Sequence, residues 1–228
     1  MLEIAAGTGV VTRQLAALLP AAVPIIASDL NQAMLDQAAV VGTLRPVQWR
    51  QADAQQLPFA DRSFDAVVCQ FGAMFFPDKA RAFAEVRRVL RPGGVFIFNV
   101  WDSLADNEFA DTVCAALASR FPDNPPRFMA TLPHGYYDRR LIAQDLQGGG
   151  FAASPQVTTL IERSRAASAR DVALALCQGT PERSEIESRD PQGLAAATDA
   201  AAAALRQRYG EGAVEGKIQA QIFVVKAT

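Results

Sequence analysis

The chain has 228 residues, half of them apolar and a fifth charged, with 15 glycines and 13 prolines. That profile is a soluble globular protein and excludes disordered, collagen-like and disulfide-framed classes. With 22 Lys and Arg against 24 Asp and Glu, the net charge is −2, so no global field gathers phosphate backbones and nucleic acid is not an expected partner.

Met1-Leu2-Glu3-Ile4-Ala5 has the pattern of a buried strand, and Gly7-Thr8-Gly9 a tight turn leading from it. Val10 to Leu19 follows with helical spacing, apolar at 11, 15, 18 and 19. A domain opening directly on such a strand is expected to lack a leading segment. Val23–Ser28, Pro46–Arg50, Phe64–Cys69 and Val95–Val100 are further strands, with helices expected over Asn31–Val41 and Lys79–Leu90. Arg91-Pro92-Gly93-Gly94 ends the second of these helices. Strands alternating with helices of this length indicate βαβ units around a parallel sheet, an α/β protein.

Past residue 100 the pattern loosens. Helices are expected at Asp106–Arg120, Asp138–Gln147, Ala169–Cys177 and the alanine-rich Leu194–Tyr209, with a proline-rich loop over Phe121–Pro133. Val157–Arg163 and Lys217–Val225 are strands, the latter preceded by a turn region with Gly210, Gly212 and Gly216. No repeat or composition break marks a second domain, so residues 1–228 are expected to form one.

Open α/β sheets bind ligands at the carboxyl ends of their strands. Four positions there carry suitable chemistry: the Glu3–Gly9 turn, Asp29, Asp53, and Gln70-Phe71-Gly72. Glycines allow close backbone approach, a helix N-terminus offers free N–H groups, and a carboxylate after the second strand can accept both hydroxyls of a ribose. A dinucleotide-binding unit would share the Gly7-x-Gly9 pair and Asp29. It would, however, place glycine where this chain has Thr12, and it has no need of Asp53 or of the Arg91–Gly94 turn.

Leu2-Glu3-Ile4-Ala5-Ala6-Gly7-Thr8-Gly9, Asp29-Leu30-Asn31, Asp53-Ala54 before Leu57-Pro58-Phe59, Ser63-Phe64-Asp65 and Leu90-Arg91-Pro92-Gly93-Gly94 together resemble a class I S-adenosylmethionine-dependent methyltransferase. The small-molecule branch that includes the ubiquinone/menaquinone biosynthesis enzymes is the most similar. The resemblance implies a Rossmann-like, seven-stranded, mostly parallel sheet with helices on both faces and an antiparallel last strand. Residues 1–100 would bind the cofactor, S-adenosyl-L-methionine. Helical insertions at about 101–147 and 165–212 would cover the substrate. The family's usual helical segment before the first strand is expected to be missing here.

By the same resemblance, Glu3 would orient the glycine loop and the methionine amino group, while Gly7 and Gly9 let the loop pass close to it. Asp29 would hold the ribose hydroxyls, with Leu30 packing near the adenine. Asp53 would accept from the adenine amino group and the Ala54 N–H would face a ring nitrogen. Gln70 would border the transferable methyl. Ala5 stands where the family carries its first glycine, which is expected to lower affinity without removing it. Met34 is a minor adenine-contact candidate and equally a core residue.

His134 is the only histidine, a candidate general base near neutral pH or simply a loop or capping residue. Trp101, Phe71, Phe75 and Phe76 either wall a substrate pocket or belong to the core. Cys69, Cys114 and Cys177 are widely spaced with no CxxC or histidine cluster, so no metal site, disulfide frame or thiol nucleophile is expected. No apolar run reaches the roughly 18–20 residues of a membrane helix and no signal peptide opens the chain. A cytoplasmic monomer or homodimer acting on a small, apolar or aromatic methyl acceptor is the expectation. The alternative is a degenerate Rossmann-like or NAD-binding protein that transfers no methyl group.

Overall fold

Alternating burial along the strands, set by side chains pointing to opposite faces, builds the sheet. The computed structural model describes residues 1–227. Its strands are β1 (Leu2–Ile4), β2 (Ile26–Asp29), β3 (Gln48–Gln51), β4 (Phe64–Gln70), β5 (Leu90–Trp101), β6 (Gln156–Ala166) and β7 (Val214–Lys226). They form one seven-stranded sheet in the order β3-β2-β1-β4-β5-β7-β6. The first five are parallel. Gly93 N–H donates to the Ala227 carbonyl at 2.6 Å, Ala227 N–H returns to Gly94 at 2.8 Å, and Asp102 N–H reaches the Gln219 carbonyl at 3.0 Å. Numbers fall along β7 as they rise along β5, so that pair is antiparallel, as is β7 with β6.

The helices are α1 (Val10–Leu18), α2 (Gln32–Val41), α3 (Lys79–Val89), α4 (Glu108–Arg120), α5 (Phe128–Thr131), α6 (Arg139–Gly148), α7 (Ala169–Gln178), α8 (Glu182–Arg189) and α9 (Leu194–Tyr209). Short polar side chains start four of them: Asn31, Asp78, Asp138 and Ser168 each accept from a backbone N–H of the first turn, satisfying donors that the helix itself leaves open.

The chain divides into two compact units. One comprises residues 1–100, 138–158 and the chain from Gln221 onward, the other residues 101–137 and 159–220. In the first, β1 is buried throughout, and an aromatic column fills the layer beside β5. Phe96 stacks on Phe98 at 4.7 Å, Phe98 on Phe223 at 4.9 Å, and Phe83 of α3 meets Phe98 at 5.4 Å. In the second, α4, α7, α8 and α9 enclose Val113, Leu117, Ala173, Cys177, Ile186 and Leu205. Ala197, Ala201 and Ala202 of α9 are fully buried there, their small size permitting close helix approach. No helix among the described residues is long and apolar enough to cross a membrane.

Several local expectations differ from the structure, among them the loop over Phe121–Pro133, which contains the one-turn helix α5 (Phe128–Thr131). The helix α3 stops at Val89, and Arg91–Gly94 continues as strand, because Gly93 and Gly94 pair with Ala227 while β4 and β5 shift register between Phe64 and Ala66. Gly216 lies inside β7 and not in a turn; a Cβ there would sit 2.8 Å from the Phe109 ring. The buried side of α1 is Thr12 and Ala16, and Leu18 is exposed. Finally α8 has no counterpart in the sequence reading: in Glu-Arg-Ser-Glu-Ile-Glu-Ser-Arg only Glu182 and Ile186 are buried, too few to print a helical hydrophobic period.

Candidate cofactor site

Leaving β1, the backbone turns through Ala5 (φ 53°), Gly7 (φ 55°) and Gly9 (φ 79°) into α1. All three are in the left-handed region, which glycine adopts freely and alanine only at a cost in strain. The two glycines serve different ends. At Gly7 a Cβ would meet nothing nearer than the Met34 Sδ at 4.0 Å, leaving its surface open to a ligand. At Gly9 it would lie 2.8 Å from Trp49 and 3.1 Å from the Ala38 Cβ, so neighbouring protein atoms exclude a side chain there.

Asp29 ties this loop to the next strand. Its Oδ2 accepts the Gly7 N–H and its Oδ1 the Asn31 N–H, each at 2.8 Å, while Asn31 itself caps α2. The Asp29 carbonyl accepts Ala52 N–H at 3.0 Å, which brings Asp53 alongside. Asp53 Oδ1 takes the Gln55 N–H at 2.8 Å, an Asx turn that fixes its carboxylate, and Ala54 is buried. Leu30 and Met34 are exposed large apolar side chains on the start of this segment.

On the other side of β1, Gln70 ends β4 as an exposed residue. Phe71 follows at φ 52°, its N–H held by the Asn99 side chain at 3.1 Å. Gly72 then passes so close to β1 that a Cβ would fall 2.4 Å from the Ala5 Cβ. Glu3, Ala5, Gly7, Gly9, Asp29, Leu30, Met34, Asp53, Ala54 and Gln70 all belong to the first unit. They occupy the carboxyl ends of β1 to β4 and the loops beyond, except Met34, which lies in the first turn of α2.

Glu3 is 1% exposed. Its Oε2 accepts the Thr12 hydroxyl at 2.6 Å. Burial pushes its carboxyl up to about 7, the Asp29 charge adds to that, and the Thr12 hydrogen bond opposes it. Desolvation penalises the charged form, and a hydroxyl donor recovers only part of the loss.

His134 belongs to the second unit. It is 6% exposed, with its ring 6.3 Å from Trp101. Its Nδ1 lies 2.9 Å from the Asp102 carbonyl, which can only accept, so Nδ1 carries the proton and Nε2 is the basic nitrogen. Burial lowers its pKa, against the hydrogen bond and charge of Asp102. Cys69 and Cys177 are buried, Cys114 half-buried, and all are free; burial pushes the thiols of Cys69 and Cys114 up to about 12.

Several supporting residues were not evident in the sequence. Asn99 holds the β4 turn. Glu85 accepts the Leu57 N–H at 2.7 Å, and Arg88 donates to the carbonyls of Leu57 and Phe59 and to Asp61, clamping the loop after Asp53. Thr12 is legible as the residue that departs from a dinucleotide fingerprint, but not as the partner of Glu3.

Residues 2–98 match the family described as methyltransferase domain. The ubiquinone/menaquinone biosynthesis C-methyltransferase UbiE of Teredinibacter turnerae is 42% identical over 98 residues, covering 41% of this chain and 39% of that one. The same-named enzyme of an Escherichia coli strain is 34% identical over the same length. The chain thus spans about two fifths of the length of the curated relatives it matches. Among solved structures, a Bacillus halodurans C-125 protein aligns with TM-score 0.61 at 20% identity, over 99% of this chain and 91% of that one. The [4+2]-cyclase SpnF aligns with TM-score 0.55 at 22% identity, over 99% and 74%. Those structural likenesses carry the fold alone, and they extend it past the region that the family match covers. Residues 2–98 are thus similar to a methyltransferase domain, and the seven-stranded sheet shares its fold with these solved structures.

Proposed function

We propose that the chain binds S-adenosylmethionine at the Glu3–Gly9, Asp29 and Asp53 site and transfers its methyl group to a small apolar or aromatic acceptor. The observation that carries this reading is the Asp29 carboxylate. It is pinned by two backbone N–H groups at 2.8 Å, beside an open Gly7 and an oriented Asp53. That donor and acceptor set suits an adenosine diol and base at the ends of adjacent strands. Thr12, buried and bonded to Glu3, fills the place of a dinucleotide fingerprint glycine and disfavours the NAD reading.

A sulfonium donor leaves as a neutral thioether, so the protein's task is alignment of donor and acceptor at about 3–3.5 Å with water excluded. Acceptor choice is assigned to residues 101–147 and 165–212. His134, with Nε2 as its basic nitrogen, is the residue there suited to accept a proton.

The test is thermal: melting temperature with S-adenosylhomocysteine or NADH, for the native chain and Asp29→Asn. Ligand at 100 times Kd adds about 2.7 kcal/mol, a rise of about 5–10 °C for a chain this long. A rise with S-adenosylhomocysteine alone is expected, and a smaller one in Asp29→Asn when each protein is compared with its own unliganded melting temperature, since the amide also leaves one of the two backbone N–H groups without its acceptor. A response to NADH, or none to either, refutes the reading.

A further inference from the structure

The two ends of the sheet are built differently. At one end β3 has four residues, short enough to offer a foreign strand little to pair with. At the other, β6 runs eleven residues, none of them buried. It contains no proline, lysine or glycine to blunt the edge. Its arginines are turned onto its neighbour, Arg163 and Arg165 donating to Glu215 of β7 at 2.8 and 2.5 Å. Val157-Thr158-Thr159-Leu160-Ile161 is an uncharged, strongly β-forming run, with Leu160 and Ile161 exposed.

We propose that β6 pairs antiparallel with β6 of a second copy of this chain, joining two sheets into one across a two-fold axis at Ile161.

The sequence of β6 is self-complementary in this register. A two-fold axis perpendicular to a sheet sets opposite residues on the same face. The one register that pairs all of Gln156–Ala166 therefore puts the midpoint, Ile161, opposite itself. Leu160 then faces Glu162, Thr159 faces Arg163, Thr158 faces Ser164 and Val157 faces Arg165; no like charges stand directly opposite, the two Glu162 side chains being diagonal neighbours. Moving the axis one residue toward the C-terminus sets Glu162 against itself, and two residues sets Arg163 against itself, both repulsive. Moving it the other way leaves the C-terminal end of the strand unpaired. This fit belongs to a second copy and not to an arbitrary peptide.

Sedimentation of the full chain from low to high micromolar concentration tests the proposal, with Ile161→Lys, Ile161→Cys and Arg165→Cys. A reversible dimer is expected, weakened about tenfold or more by Ile161→Lys, since the new charge faces its own copy. Position 161 is exposed, so circular dichroism should be unchanged, and so should melting temperature at concentrations where both proteins are monomeric. Ile161→Cys should cross-link under mild oxidation, because directly opposite Cβ atoms lie about 4.5–5.5 Å apart. Arg165→Cys, which faces Val157, should not. A monomer throughout, a dimer indifferent to Ile161→Lys, or cross-linking at 165 in place of 161 overturns the proposal.

Discussion

Replacing Glu3 by Gln exchanges a buried titrating carboxyl for a neutral amide of the same shape. In the unfolded chain the carboxyl ionises near 4.5, whereas in the folded protein burial between β1 and Thr12 holds the proton to about 7. Between those pH values the native state binds more protons than the unfolded state, so stability falls as pH rises. At about 1.4 kcal/mol for each tenfold change in proton affinity, the loss on going from pH 4.5 to well above 7 totals about 3 kcal/mol. The amide keeps an oxygen for the Thr12 hydroxyl and does not titrate. Its stability relative to the native chain should therefore grow by about 3 kcal/mol over that interval, most steeply between pH 5 and 7. Urea denaturation of both proteins at a series of pH values measures the difference, in which every other titrating group cancels. Parallel curves for the two proteins would refute the buried-carboxyl argument, and so would a gap that opens below pH 4.5.

The remaining predictions concern the same unit. If S-adenosylmethionine binds beside Glu3, its positive charge should hold the carboxyl ionised. Calorimetry near pH 7 in buffers of different ionisation heat should then show proton release from the native chain and none from Glu3→Gln. Ala5 has φ 53°, so Ala5→Gly should raise the unfolding free energy by about 0.5–1 kcal/mol, relief of left-handed strain exceeding the extra unfolded-chain entropy. Gly72→Ala should cost more than about 2 kcal/mol, because its Cβ falls 2.4 Å from that of Ala5 and 2.9 Å from the Cys69 sulfur. A double-mutant cycle with Ala5→Gly should recover about 1 kcal/mol of it. Arg88→Ala removes donors to Leu57, Phe59, Asp61 and Glu85 and should lose about 2 kcal/mol with faster proteolysis over residues 57–62. Arg88→Lys should restore less than half of that, since an ammonium cannot fork to these carbonyls.

Much of the first hundred residues is legible because its determinants are local. Apolar runs between turn residues mark β1, β2, β4 and the core of β5, and Asn31 and Asp78 announce the helices that they cap. The Glu3–Gly9 turn, Asp29, Asp53 and Gln70 fall at strand ends in the sequence, and hydrogen bonds from Gly7 and Ala52 to Asp29 link the turn, Asp29 and the residue before Asp53.

What the sequence determined by itself was the α/β pattern, the strand ends and the chemical character of the residues on them. Those depend on neighbours a few positions away. Tertiary structure alone decided why Gly9 must be glycine, since the excluding ring of Trp49 comes from β3. It decided that Arg91–Gly94 is strand, since the pairing partner lies at Ala227. It also decided that α8 is a helix despite having two buried residues, and that Glu3 keeps its proton near neutrality. Each of these turns on desolvation or contact between segments far apart in the chain, and that information appears only once the backbone has brought them together.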